Sequence, residues 1–489
     1  MTLQKHWKIS LLAIMAIGPG LMVNSALIPI QNIIQKALGT NNTTTFVPLI
    51  ISTITFALFI PLGPPLRQRI GVRNTYLIAM LLFIIGALLS ALTFDMLWMT
   101  LGRFLQGMGS GVMLMIMLPL LVLSFPIEKR NLALFVLLLG FFGSAIVGMY
   151  LGNVALIYNQ WRWIFYIASA IALAGIILSQ FFLRNELHNV SKGADLDRLG
   201  ISLIMICSVI ALITLNYLAN RFGSQLDIWI IIIGLIVIFF LFIIAENKTK
   251  NPVIAFKLIM HPKPLLGMLM AITSNITMAL SLLAIQGILR NIYGIPNKQL
   301  LLLYGCLLIG VIIAAGFSTT MYDKIGPGLL GFIGSLAIVA VNIQWFFLEK
   351  SYSLPLIAVN LTILIAGVGI TVGSGLMGAA LGGALPDLVK RMTAVQFIRF
   401  LIYTAATVII GWYSKNDYET TFNEELKLNP LTEVQSAQAV ALTLTYHDLF
   451  LASLIVGGLL CCFSLGLHLT GKGHKLAHKP HLNHEPAKN

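Results

Sequence analysis

Charged residues are scarce in this sequence. Only 10% of its 489 residues are Asp, Glu, Lys or Arg, whereas 58% are hydrophobic, and the mean hydropathy is +0.91. A soluble domain of this size needs more polar side chains than that to cover its surface. The composition therefore excludes a soluble globular protein and indicates a chain that lies mostly in a membrane.

Cysteine pairs and enzyme motifs are also missing. All the cysteines lie in apolar runs and none has zinc-ligand spacing, so we expect buried thiols, with neither a disulfide nor a metal site. The cysteines are Cys207, Cys306, Cys461 and Cys462. The absence of a P-loop excludes a built-in ATPase, and no nucleophile triad or Rossmann fingerprint is present. We predict a protein that is not an enzyme and binds no cofactor.

What the sequence does have is a series of about fourteen apolar runs, each long enough for a helix to cross a bilayer. They predict an all-α polytopic membrane protein. The first run follows Lys5 and Lys8 and resembles a signal peptide, but no small-residue cleavage site ends it, so we interpret it as an uncleaved span. The predicted spans 1 to 14 are 9–30, 46–65, 74–94, 97–124, 132–155, 162–183, 199–219, 227–245, 264–286, 299–320, 328–347, 354–377, 389–413 and 447–469.

The formal net charge of +14 could suggest a nucleic-acid partner. Most Lys and Arg residues, however, fall in the loops on the same side as the N-terminus, as the positive-inside rule requires. The pattern predicts an integral protein of the cell (inner or plasma) membrane with both termini in the cytoplasm. We expect a monomer whose partners are the lipid bilayer and a small-molecule substrate, and no nucleic acid.

Two polar segments lie outside the predicted spans. The outer loop 414–446 is acidic and is predicted to contain a short helix. We interpret it as a solvated cap, with a gate or a docking segment as the alternative. The tail 471–489 is basic and carries four histidines. A solvated tail, or one that contacts anionic lipid, is favoured over metal binding.

Two short loops indicate an internal repeat. Loops 64–74 and 321–327 share a polar-basic-Ile-Gly core, and each joins two apolar spans on the same side of the membrane. A repeat of this kind suggests a transporter made of two related bundles around a midplane site. We predict an N-terminal six-helix bundle (1–190), an inserted two-helix hairpin of spans 7 and 8 (191–262), a C-terminal six-helix bundle (263–470) and a cytoplasmic tail (471–489).

Several segments resemble those of a known family. Residues 102–111 (Gly-Arg-Phe-Leu-Gln-Gly-Met-Gly-Ser-Gly) resemble motif B of the major facilitator superfamily, and the 64–74 loop resembles its motif A. Residues 161–165 (Trp-Arg-Trp-Ile-Phe), 246–258 and 286–294 resemble segments of the fourteen-helix drug:proton antiporter branch. The resemblance implies the major facilitator fold, transport by alternating access, and export.

The sequence departs from that branch at positions that concern proton coupling. The Asp that is usual in motif A is Gln68 here. Motif C, which is typical of antiporters, would fall on 148–153, where its Pro is Met149 and one of its glycines is Asn153. The branch usually carries an Asp in its first helix, but residues 17–20 read Ile-Gly-Pro-Gly. Coupling to a proton gradient is therefore left open.

The predicted spans bury two arginines, Arg103 and Arg399, and no clear carboxylate. An ionisable side chain at bilayer depth is costly unless it faces a cavity or a partner. Next to Arg103, the glycines Gly107, Gly109 and Gly111 let another helix approach closely, so the arginine should point into the bundle. The resemblance implies a coupling or gating role for Arg103, Gly107 and Gly111. The alternative is a structural tether between spans 4 and 1.

The second arginine lies in a polar stripe. Gln396, Arg399 and Tyr403 are spaced i, i+3, i+7 and so share one face of span 13. Because a guanidinium can bind a carboxylate or phosphate through two parallel hydrogen bonds, we predict substrate binding here. The alternatives are snorkelling to the interface or a pair with an acid on another span.

Three further residues are predicted to bind substrate: Asn24, Gln106 and Asn275. Spans 1 and 4 of the superfamily line its cavity, and span 9 is the repeat counterpart of span 1. The alternative is that these amides only form hydrogen bonds between helices.

The resemblance also implies a charge-and-dipole latch that closes the cytoplasmic gate. The alternative is ordinary positive-inside charge, although Gly71 and Gly326 would permit tight turns. Gln68 in place of Asp should weaken the latch in the first half. The latch residues are Arg67, Arg69, Gly71, Arg73, Asp323, Lys324 and Gly326.

We therefore predict a secondary active transporter that exports a small organic molecule. Arg399 favours an anionic or zwitterionic cargo, such as a carboxylate-bearing metabolite or a siderophore. The alternatives are a broad-specificity multidrug:proton antiporter, an importer of a small anion, and a membrane protein that transports nothing.

Overall fold

The structure is a computed structural model. It describes residues 4–40, 42–183, 200–206, 210, 240, 242–244, 246–249, 252, 254–347, 353–428, 434–471 and 476. Within these residues it contains helices and their connections but no strand, which confirms the predicted all-α class.

Eleven helical stretches of the described chain are long and apolar enough to cross a membrane. One of them, Thr44–Leu92, contains both span 2 and span 3, so all twelve spans predicted outside the hairpin are present. Spans 7 and 8 lie almost wholly outside the described residues. The observed helices are Lys5–Leu27 (span 1), Asn42–Phe59 (span 2), Gly63–Leu92 (span 3), Met96–Ser124 (span 4), Asn131–Leu137, Leu138–Phe142 and Gly143–Tyr158 (span 5), Trp163–Phe182 (span 6), Pro262–Gly287 and Ile288–Ile292 (span 9), Asn297–Ile325 (span 10), Pro327–Phe346 (span 11), Leu354–Ala380 (span 12), Leu388–Leu428 (span 13) and Val434–Leu469 (span 14).

Local sequence signals explain where several spans begin. Spans 9, 11 and 12 each have a proline in the first two helical positions, where its missing N–H breaks no hydrogen bond of the helix. Span 4 begins after Asp95, whose carboxylate accepts a hydrogen bond from the Leu97 N–H at 2.7 Å. This side-chain cap satisfies one of the four free N–H groups at the helix start.

The two repeat loops form the same turn. Gly71 has φ 81° and ψ 164°, and Gly326 has φ 86° and ψ 165°. Positive φ is unfavourable for residues with a Cβ, so glycine is required at both turns. The loop predicted at 64–74 is shorter than expected, since helix flanks Gly71 on both sides. We call the end of the molecule that carries these two glycines the turn end.

The spans pack in two groups. Span 4 contacts spans 2 and 3, while span 1 contacts spans 5 and 6. In the second group, span 14 contacts spans 9 and 11, and span 12 contacts spans 10 and 11. The two groups meet where span 5 lies on span 10 and where span 2 lies on span 13. We call this contact region the seam.

The region 414–446 corrects a sequence prediction. It is not a loop with one short helix, because span 13 continues as helix to Leu428 and span 14 already begins at Val434. Span 13 has 41 residues, about 60 Å at 1.5 Å per residue, which is about twice the 30 Å hydrocarbon core of a bilayer. The ends of spans 13 and 14 therefore project from the membrane at the end opposite the turn end. We call residues 414–428 and 434–446 the projecting hairpin.

Arg391 lies at the predicted cytoplasmic start of span 13, and the structure buries it. Only 2% of its surface is exposed. Its guanidinium donates to backbone carbonyls at the end of span 12 and just beyond it. The acceptors are the carbonyl oxygens of Ala379 at 3.1 Å, Ala380 at 3.0 and 2.5 Å, and Ala384 at 3.2 Å. A positive charge at a helix C-terminus satisfies orphan carbonyls and favours the helix dipole.

Glu246, which follows span 8, is a buried carboxylate that the sequence did not mark as such. Only 2% of its surface is exposed, and its Oε2 accepts a hydrogen bond from the Ile254 N–H at 3.1 Å. The absence of a clear buried carboxylate thus holds for the described membrane spans but not for the segment that follows span 8.

Replacing Arg391 by Gln should lower the free energy of unfolding by about 1–3 kcal/mol, because carbonyls at the end of span 12 would lose a charged donor. The measurement is the apparent melting temperature of the purified protein in detergent. Lys390→Gln is the matched control, since Lys390 is exposed and the substitution removes the same charge. Equal melting temperatures for the two variants would contradict the capping role.

Candidate functional site

Arg103 lies at the centre of a polar cluster that joins spans 1, 2 and 4. It is completely buried, and its two terminal nitrogens donate to Asn24 Oδ1 and Gln106 Oε1. Ser52 Oγ donates to the same Asn24 oxygen at 3.3 Å. The structure thus brings together Asn24, Arg103 and Gln106, three residues that sequence reasoning singled out, and adds Ser52. We call these four residues the Arg103 cluster.

The glycines of motif B explain how span 4 reaches its neighbours. A Cβ on Gly107 would overlap Thr55 Oγ1, and a Cβ on Gly111 would overlap the Phe56 carbonyl of span 2. Gly109 faces span 3 in the same way, against the Ala79 carbonyl. Thr55 Oγ1 also donates to the Phe104 carbonyl at 3.3 Å. The glycines therefore let span 4 pack directly on the backbones of spans 2 and 3.

In and beside the Arg103 cluster, three polar side-chain atoms have no hydrogen-bond partner among the described residues. Arg103 Nε, Gln106 Nε2 and the nearby Ser110 Oγ are buried without a hydrogen-bond partner. No carboxylate of the described residues lies within 4 Å of Arg103. Among the described residues, only neutral oxygen atoms stabilise its charge, and its Nε has a free hydrogen for a further acceptor.

Arg399 forms a second cluster on span 13. Arg399 and Gln396 are 7% and 3% exposed, and the Arg399 Nη1 donates to Gln396 Oε1 at 2.9 Å. The guanidinium lies over the Phe400 ring, 4.4 Å from its centroid, in a cation–π contact. Tyr403, one helical turn beyond Arg399, is half-buried. We call these four residues the Arg399 cluster.

Arg399, like Arg103, has no described carboxylate within 4 Å, and its Nε is buried without a partner. Phe400 was not predicted from the sequence. The one sequence signal for this contact was the position of Phe400 directly after Arg399. That signal is weak, because aromatic residues are common throughout these spans.

Span 2 connects the two clusters across the seam. Its Ser52 bonds to Asn24 of the Arg103 cluster. One helical turn further on, the Phe56 ring meets the Phe400 ring edge-on, with centroids 4.7 Å apart. Residues four apart on a helix have Cβ atoms about 5–6 Å from each other. Ser52 and Phe56 therefore link the two clusters through one turn of span 2.

Asn275 of span 9 is buried at 5% exposure but is not hydrogen-bonded to either cluster. Its neighbour Ser274 forms a hydrogen bond of 2.5 Å with Thr371 of span 12. Ser281, Asn342 and Ser453 similarly join spans 9, 11 and 14. The polar groups in this part of the second half thus form bonds between helices.

The turn-end residues lie apart from both clusters. Arg73 donates to Gln180 of span 6, and Asp323 accepts a hydrogen bond of 2.8 Å from the Leu476 N–H of the tail. Arg67 is half-buried, whereas Arg69 and Lys324 are exposed. The contact with Leu476 is a finding that the sequence did not predict.

Comparison with known families gives one match that covers most of the chain. The model of the Major Facilitator Superfamily matches residues 11–411. The Bacillus subtilis protein named "Uncharacterized MFS-type transporter YubD" is 46% identical over 489 residues, which is 98% of this chain and 92% of that protein. Its coverage means that the likeness extends over nearly the whole length of both chains.

Two more distant similarities cover less of the sequence or only the fold. The Staphylococcus aureus quinolone resistance protein NorB is 26% identical over 238 residues, 48% of this chain and 50% of NorB. Among solved structures, a POT family transporter in complex with 5-aminolevulinic acid superposes with a TM-score of 0.64 at 15% identity, over 94% of this chain and 96% of that one. The likeness to the POT family transporter shows a shared fold.

Proposed function

The chain belongs to the Major Facilitator Superfamily, and from this premise we propose that it exports a small organic anion across the cell membrane by alternating access. The observation that carries the proposal is the pair of buried guanidiniums, Arg103 and Arg399, whose described partners are all neutral.

The charge of the two clusters favours an anionic cargo. A buried charge without a countercharge is costly, so binding an anion between the clusters would recover electrostatic energy that neutral amides cannot supply. Arg399 uses Nη1 to bond Gln396, and its Nε has no hydrogen-bond partner among the described residues. Arginine offers fixed parallel donors to a carboxylate or phosphate. A carboxylate-bearing metabolite or siderophore fits this chemistry.

The position of the clusters favours alternating access. The Arg103 cluster belongs to spans 1, 2 and 4, and the Arg399 cluster belongs to span 13, on the other side of the seam. In transporters made of two related halves, the halves rock around a site near the midplane. Movement at the Phe56–Phe400 contact would change the separation of the two guanidiniums, and so couple binding to opening.

We further propose that the turn end faces the cytoplasm and the projecting hairpin faces outward. The basic residues around both turns support this orientation through the positive-inside rule. The resemblance to the fourteen-helix drug:proton antiporter branch supports outward transport. The distant likeness to NorB favours one second candidate, a multidrug exporter whose substrates are broader than organic anions.

A strain that lacks the gene should retain the cargo. We expect at least one anionic compound to accumulate in its cells and to decrease in its spent medium, because the export route is missing. The measurement compares small molecules in cells and medium with and without the gene, and restoring the gene is the control.

A compound left unused in the medium of the deletion strain would contradict export and indicate an importer. Unchanged metabolites together with increased sensitivity to several unrelated drugs would support the multidrug candidate instead.

A further inference from the structure

A polar contact joins the two halves of the protein at the end that carries the projecting hairpin. Arg290 Nη2 of span 9 donates to Asn153 Oδ1 of span 5 at 3.3 Å. The Tyr304 hydroxyl of span 10 lies beside the same amide and near the guanidinium. Asn153 is fully buried, Tyr304 is 5% exposed, and Arg290 is half-buried. These three residues, which we call the outer cluster, therefore bridge the seam.

The fold around Arg290 positions its side chain. Residues Ile288–Ile292 form a π-helical turn at the end of span 9, a local structure that is frequent at functional sites. Asn291, which follows Arg290 within this turn, donates to the Tyr446 hydroxyl at 2.7 Å. A Cβ on Gly287 would overlap the Tyr446 ring. Span 14 thus fixes the π turn from one side, which leaves Arg290 on the side of span 5.

The Asn153 side chain is held in one orientation by its own helix. Its Nδ2 donates to the Met149 carbonyl at 2.9 Å, which fixes the direction of the amide. Oδ1 is then the acceptor that faces Arg290. Asn153 stands where motif C of the resembling branch has a glycine, which has no side chain to make such a bond.

The contact between Arg290 and Asn153 can be displaced by an anion. The Asn153 amide is neutral and offers Arg290 one oxygen, whereas a carboxylate carries the opposite charge and can accept two parallel hydrogen bonds from one guanidinium. No described carboxylate lies within 4 Å of Arg290. A carboxylate that reaches Arg290 therefore competes well with Asn153.

We propose that Arg290, Asn153 and Tyr304 form a second anion site, which also locks the outer ends of the two halves together. An organic anion opens the lock when it replaces Asn153 as the partner of Arg290. The Tyr304 hydroxyl can donate a hydrogen bond to the same anion. This inference rests on the proposed export of an organic anion and adds the site that the cargo meets on its way out.

The test measures the distance between the outer ends of spans 5 and 10. Spin labels are attached at Tyr158→Cys and Lys298→Cys, both exposed positions, in a full-length chain whose four native cysteines are replaced by serine. Double electron–electron resonance then gives the distance distribution in lipid nanodiscs. Sodium benzoate is the probe, and benzamide is the control of the same shape without charge.

We expect benzoate to shift the wild-type distribution to longer distances, and benzamide to leave it unchanged. Arg290→Gln should give the longer distances without any anion, because the lock is absent. Asn153→Asp should keep the short distances even with benzoate, because it replaces a neutral partner by a carboxylate. Tyr304→Phe should require more benzoate for the same shift.

A wild-type distribution that benzoate does not change would overturn the anion site. Short distances in Arg290→Gln would overturn the lock. The proposed export function can fail separately. If wild type and Asn153→Asp export the same anion at equal rates, the lock is wrong and the function stands. If benzoate opens the labelled protein but the gene has no effect on cellular anions, the function is wrong and the site stands.

Discussion

If the cargo is the proposed organic anion, Gln396→Glu should weaken its binding about 10- to 100-fold while the protein stays folded. The new carboxylate would lie where Oε1 now accepts a hydrogen bond from Arg399 at 2.9 Å, and it would neutralise the guanidinium. A hydrogen bond to a charged group contributes about 1.5–3 kcal/mol, which corresponds to about one to two powers of ten in affinity. The measurement is the transport KM in proteoliposomes for the compound that the deletion strain retains.

Gln299→Glu is the matched control, because it adds the same charge at an exposed position at the start of span 10. We expect its KM to equal that of the wild type. Unchanged KM in Gln396→Glu would show that Arg399 does not bind the cargo, and would leave Arg399 with a structural role.

Arg103→Lys should lower kcat by at least about tenfold, although lysine keeps the positive charge. Arg103 donates through one terminal nitrogen to span 1 and through the other to Gln106 of its own span. A lysine ammonium is a point charge on a flexible stem, so it cannot donate in two fixed directions as the guanidinium does. If the cluster transmits movement between spans 1 and 4, losing one of these two hydrogen bonds should slow transport. The measurement is the initial rate of transport at saturating substrate.

The apparent melting temperature separates gating from a purely structural tether. A gate predicts a slow transporter whose melting temperature stays close to that of the wild type, whereas a tether predicts that stability falls together with activity. Lys129→Arg is the control, because Lys129 is exposed just after span 4 and its substitution, which keeps the positive charge, should change neither quantity.

The fold was predictable because its main signals are local. Apolar runs of about twenty residues identify membrane helices regardless of their neighbours, and the Ile-Gly pairs at 70–71 and 325–326 mark turns that only glycine adopts easily. The face shared by Gln396 and Arg399 also follows from helical spacing. The structure shows these two side chains bonded to each other, as their spacing allows.

Contacts between distant segments were not predictable in the same way. Arg391 lies in a polar stretch that resembles a solvated loop, and its burial depends on where span 12 happens to end. Asn153 faces Arg290 because a π turn rotates the end of span 9, and no sequence period marks that turn. Hydropathy identifies only the apolar part of a helix, so it did not predict that the helices of spans 13 and 14 continue beyond their apolar runs.

The projecting hairpin has a practical consequence for imaging. A membrane protein of 53.5 kDa that lies almost entirely within a lipid disc offers few features by which particles can be aligned. A 2.8 Å hydrogen bond from Thr445 to Asp417 joins the two arms of the hairpin, and the rings of Tyr418 and Phe422 stack one turn apart on span 13. An antibody fragment raised against its exposed acidic surface would therefore be rigidly oriented relative to spans 13 and 14. Such a fragment would serve as a fiducial for determining further structures of the protein.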